Sequence, residues 1–178
     1  MNKDQKLLEE AYESIHKSTR EPLYLGVEKD KERWMKWLSK LKHEVHEDGS
    51  VSVKKDVELS SKRMYGRLPF NFNQIQGDFV CIASDLKTLE GAPRYVTGGF
   101  SCAHTKITSL KGAPNYVGDE FNCYGCKITS LEGCPEIIKG EFSHDNFSDE
   151  DYRTFAKNRK YVERKLDKDL NVDLQDFS

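Results

Sequence analysis

The chain has 178 residues, close to one compact unit at about 150 residues per domain, and its 28 basic and 30 acidic side chains leave a formal charge of −2. So balanced a charge gives no global field to draw in nucleic acid or an acidic substrate, and no run of about 18 apolar residues is present to span a membrane. Met1–Lys17 alternates charge with Leu and has no apolar core of signal-peptide type, which argues against export and for reduced thiols at all five cysteines.

In chain order, Leu7, Leu8, Ala11, Tyr12 and Ile15 fall on one face of a helix, with Glu and Lys opposite. The segment EPLYLG, Glu21 to Gly26, interrupts it. A second helix carries Trp34, Leu38, Leu41 and Val45 at spacings of 3 and 4. Residues 1–47 are therefore expected to form a helical N-terminal cap. Asp48-Gly49 then reads as a hairpin turn into Val51 and Val53.

A repeat organises residues 48–147. Three segments align without gaps at a spacing of 21 residues, starting at Gly77, Gly98 and Asp119. Phe79, Phe100, Phe121 and Phe142 form one column, and Cys81, Cys102 and Cys123 another. Leu86, Ile107 and Ile128 follow, then Leu89, Leu110 and Leu131, then Gly91, Gly112 and Gly133, and last Pro93, Pro114 and Pro135, trailed by Val96, Val117 and Ile138. A weaker copy starts at Val57 and Leu59, and the pattern is lost after Phe142 and His144. Phe, Cys and the following Leu or Ile point inward, and the L-x-G-x-P stretch turns the chain. One coil cannot bury its own apolar side, but stacked coils can.

Ser148 is a good N-cap followed by Asp149, Glu150 and Asp151. Tyr152, Phe155, Arg159, Val162 and Leu166 continue one face, so residues 148–170 are expected as a C-terminal capping helix and 171–178 as an acidic tail. The expected fold is α/β: a short solenoid of about four coils with helical N- and C-terminal caps.

Each good copy fits the leucine-rich-repeat core L-x-L-x-x-N-x-L, as in Phe100, Cys102, Thr105 and Ile107. The Asn column holds Ser84, Thr105 and Cys126, which only partly replace an amide. The F-x-C-x-x-x-x-L-T-S-L-x-G-x-P copies, with Thr108-Ser109-Leu110-Lys111-Gly112-Ala113-Pro114, resemble the short bacterial type of leucine-rich repeat, most closely in small accessory proteins of large tailed bacteriophages. The opening Asn2–Tyr12 is similar to the starts of such proteins. The resemblance implies a non-enzymatic interaction module without a cofactor, made in the cytoplasm of an infected bacterium. It does not imply a particular partner, since the family is defined by architecture; the expected one is a protein of host or phage.

Other chemistry is weighed against simpler readings. Cys123-x-x-Cys126, Cys134 and His144 offer ligands of the kinds zinc takes, which makes a zinc-stabilised structural protein one alternative. The repeat columns account for the same cysteines as small buried hydrophobes. His43-Glu44-Val45-His46 is one residue short of a metalloprotease helix and reads as a solvated helix end. No nucleotide loop or nucleophile elbow appears. Arg153, Lys157, Arg159, Lys160, Arg164, Lys165 and Lys168 make the last helix basic, the basis of a nucleic-acid-binding alternative, but Asp151, Glu163 and Asp167 interleave as helical ion pairs.

The remaining candidate surface is the outward strand face: Glu58, Ser60, Val80, Ile82, Ser101, Ala103, Asn122, Tyr124, Ser143 and Asp145. Tyr124 is its largest side chain, with Asn122 on the same strand and His104 one coil away. Ile82, His104, Asn122, Tyr124 and Asp145 are the candidate partner-binding residues.

Overall fold

Four successive coils place an inward Phe, and the first places Val57, where a strand must pair with its neighbours, and that repetition builds a sheet. The computed structural model describes residues 3–17, 24–145, 147, 150 and 151. Strands β3 (Val57–Glu58), β5 (Phe79–Val80), β7 (Phe100–Ser101), β9 (Phe121–Asn122) and β11 (Phe142–Ser143) form a parallel sheet in the order β11-β9-β7-β5-β3. Phe79, Phe100, Phe121 and Phe142 stand in register across it.

The sequence reading placed one strand in each coil; the structure has two. After the Pro turn, Tyr95–Val96 (β6), Tyr116–Val117 (β8) and Ile137–Ile138 (β10) join a second sheet with β1 (His43–Val45), β2 (Val51–Val53) and β4 (Phe72–Ile75). Its order is β1-β2-β4-β6-β8-β10, parallel except for the β1–β2 hairpin. The protein is thus a parallel β-solenoid of about four turns. Val96, Val117 and Ile138 are fully buried, so this second strand closes the core opposite the Phe column.

The core is a set of ladders. Phe79, Phe100 and Phe121 have 0% exposure, and their rings stack at 5.3 and 5.5 Å between centroids, nearly parallel. Such pairs contribute roughly 0.5–1.5 kcal/mol beyond burial. Cys81, Cys102 and Cys123 lie beneath them, also buried. In the column where the consensus has Asn, Ser84 Oγ donates to Cys81 O and Thr105 Oγ1 to Cys102 O, each at 2.8 Å within its own coil. Cys126 Sγ instead donates to Cys102 O of the preceding coil at 3.2 Å.

The first copy is weak for a reason visible in the register. Val51 pairs with Phe72, 21 positions on, but Val53 pairs with Ile75, 22 positions on. One extra residue therefore enters the ladder there, and Val57 meets Phe79 with the same offset of 22.

The N-terminal helices are α1 (Lys3–Lys17) and α2 (Tyr24–Leu38). Leu8, Tyr12, Trp34 and Leu38 are buried, and the Tyr12 ring meets Phe70 edge-on at 6.2 Å. Arg33 donates to Arg63 O at 3.0 Å, tying α2 to the first coil. The helical reading of Leu41 and Val45 is corrected: α2 stops at Leu38, and His43–Val45 is a strand paired with Val51–Val53. A spacing of 4 from Leu41 to Val45 imitates a helix, but the Asp48-Gly49 hairpin decides the pairing. His43 therefore opens a strand and His46 follows it; neither sits at a helix end. The expected C-terminal helix and acidic tail lie outside the described residues from position 152 on.

Candidate functional site

The outward strand face ends, in the four coils from β3 to β9, on a residue in the left-handed region. Ser61, Ala83, His104 and Gly125 have φ of 54°, 51°, 56° and 71°. Only the last is glycine. A non-glycine residue held there costs on the order of 1–3 kcal/mol and is tolerated because the coils on either side fix the backbone. At the third coil this bend presents His104 and, one coil on, Tyr124 side by side. Their rings meet edge to face at 5.6 Å.

Side chains of the next strands hold this corner. Asn122 Oδ1 accepts from the Tyr124 amide at 3.0 Å, and Asn122 Nδ2 donates to Glu120 Oε1 at 3.0 Å. Ser143 Oγ donates to the same Glu120 oxygen at 2.7 Å. Asp145 Oδ2 accepts from the Gly125 amide at 3.1 Å. Of the five residues expected as the site, His104, Asn122, Tyr124 and Asp145 thus form one cluster. Tyr124 is 51% exposed, whereas Asn122 and Asp145 spend hydrogen bonds on the backbone that carries it. Ile82 does not join them. It shares the column but is separated by Ala103, which its neighbours cover at 5% exposure, so the outer face offers no surface there.

The cysteines sit where the columns put them. Burial pushes the Cys123 thiol up to about 12 and Cys81 up as well, so both are protonated near neutrality. Cys134 takes the turn position of Ala92 and Ala113 and is half-buried. Among the described residues, no three or more His, Cys, Asp or Glu converge on a position that could hold a metal ion. Among those residues, too, no helix is long and apolar enough to cross a membrane.

A second concavity went unread in the sequence. The Gly-Ala-Pro turns of successive coils border a groove of about 670 Å³ beside the second sheet. Ala92 and Ala113 border it with small side chains; Asn73, Arg94 and Asn115, one per coil, line it with planar polar groups. The β1–β2 turn contributes His46 and Asp48. His46 Nε2 lies 2.8 Å from Ser52 Oγ and 3.3 Å from Asn73 Nδ2. The Ser50 hydroxyl and amide donate to Asp48 Oδ1 at 2.6 and 2.9 Å, holding that carboxyl below its usual range. The sequence signal of this groove is the small residue before Pro93 and Pro114 and the polar one after each.

Pro93 also shapes this groove. In the first coils Val51 N donates to Asn71 O and Phe72 N to Gly91 O, both at 2.8 Å. The next position in that ladder is Pro93, which has no N–H, so among the described residues no backbone donor reaches Gly112 O. No protein-family model matches the chain, and neither does any curated protein or any solved structure.

Proposed function

We propose that the chain is a non-catalytic binding module of the short leucine-rich-repeat kind, with α1 and α2 capping the first coil and a C-terminal helix over 148–170 capping the last. It takes a protein partner on the strand face at Tyr124. The observation that carries this reading is the exposure of Tyr124 at 51%, on a corner fixed by Asn122 and Asp145. Tyrosine combines apolar area with a polar tip, and such residues are enriched among binding hot spots. Following the resemblance of the repeats, the proposed role is that of a phage accessory factor which binds and inhibits or redirects a host protein in the bacterial cytoplasm.

Five strands at about 4.8 Å spacing give only about 250 Å², well short of the roughly 800 Å² per partner of a stable interface. The partner must therefore reach beyond the strands onto the turns or helices. The test is a paired affinity capture from bacterial lysate with mass spectrometry, using the native chain and Tyr124→Ala. A protein retained by the first and lost from the second supports the reading. Identical captures from both reject it.

A further inference from the structure

The groove beside the Pro turns takes no part in the strand-face reading, and its chemistry is of a different kind. It crosses three coils, from Asn73 through Arg94 to Asn115, which is two strand spacings or about 10 Å. The backbone fixes this row, because Arg94 N donates to Asn73 O at 2.8 Å and Asn115 N to Arg94 O at 2.9 Å. One planar polar side chain therefore projects per coil, at a constant interval.

Three ligand classes are poorly served by this lining. An apolar ligand finds little to cover, since Phe72 is buried and packs its ring on Phe70 and Phe79, leaving mainly the methyls of Ala92 and Ala113. An anion meets the carboxylates of Glu47 and Asp48. A cation meets Arg94. What suits the site is neutral and carries donors and acceptors on neighbouring atoms. Asn amides both donate and accept, the Arg94 guanidinium donates in a planar fork, and Gly112 O is left by Pro93 as an acceptor without a ladder donor.

We infer that this groove is a binding site for a neutral oligosaccharide. Vicinal hydroxyls of one sugar ring match one planar side chain, and successive rings meet Asn73, Arg94 and Asn115 in turn. Ala92 and Ala113 keep bulky side chains out of the groove between these polar groups.

The test is a titration of the ¹⁵N-labelled full-length chain with cellohexaose, maltohexaose and chitohexaose at millimolar concentration. At least one should shift amides within 46–50, 71–73, 91–94 and 112–115. Arg94→Ala and Asn115→Ala, both at exposed positions, should weaken that binding at least about tenfold with an unchanged melting curve. Tyr124→Ala should leave it intact, which separates this site from the strand-face reading. No response to any of the three sugars overturns the inference. So does a response that survives both groove substitutions, or one given only by a capped neutral Gly-Ser peptide.

Discussion

The ring of His104 lies over Gly125 of the next coil: a Cβ placed on Gly125 would collide with His104 Nδ1. Both residues occupy the same left-handed position of the repeat, with φ of 56° and 71°. The glycine there is thus favoured by its backbone, which Ser61, Ala83 and His104 adopt under strain, and further by its neighbour's ring.

Substitution at the two positions should be unequal. Gly125→Ala should cost about 1–3 kcal/mol, because it strains the backbone and displaces the His104 ring. His104→Gly relieves a strained φ but loosens the unfolded chain, two effects that offset to within about 1 kcal/mol. Urea unfolding of both variants measures the difference. Equal destabilisation would contradict this account of the corner.

The Phe ladder should weaken according to depth. Phe100→Ala and Phe121→Ala, each removing a fully buried ring between two others, should lose roughly 3–5 kcal/mol. Phe142→Ala removes a half-buried ring and should cost less. Against a typical domain total of about 5–15 kcal/mol, either inner change can unfold the chain, which circular dichroism would show.

Alkaline pH should destabilise the fold. Cys123 rises from 9.0 to about 12 and Tyr12 from 10.0 to about 12, in both cases chiefly through burial. A raised folded-state value means the protonated form is favoured by folding. That contribution is whole below the unfolded values and is lost as pH climbs from about 9 towards 12, at up to about 1.4 kcal/mol per pH unit for each group. Denaturant midpoints should be flat near neutrality and fall above pH 9, and Cys123→Ala should make the fall shallower.

For the partner, Tyr124→Ala combined with Asn122→Ala should reduce affinity at least tenfold, about 1.4 kcal/mol. Tyr124→Ala alone should change melting little, whereas Asn122→Ala also removes two hydrogen bonds of the corner. If capture persists while charge reversal at Arg159, Lys160 and Arg164 abolishes it, the basic C-terminal segment is the binding surface instead.

Much of this architecture could be read from residue columns. Phe100 under Phe79 and Cys102 under Cys81 stand where a 21-residue step puts them, because inward positions tolerate few shapes. The second sheet could not be read. Tyr95–Val96 is two residues long, and an alternation needs more than one period to be recognised. Val45 misled for the opposite reason: its spacing from Leu41 is helical, but pairing with Val51 outweighs it. Tyr124 was legible as an outward residue, whereas Ala103, one coil earlier, is covered by neighbours that periodicity does not describe. The groove was hidden because it is made by what Ala92 and Ala113 lack.

The constant step of the ladder also governs how the chain finds its fold. Each strand of the Phe sheet pairs with one 21 or 22 residues away, so no pairing in it closes a long loop. The entropy of closure, which grows with loop length, is therefore nearly the same at every step. Once two adjacent coils have docked, each further coil adds to a ready-made template, and assembly can spread in both directions like a zipper. Local separations of this kind favour rapid folding despite an all-parallel sheet. Unfolding runs the same path backwards, with the terminal coils fraying before the middle of the Phe ladder opens.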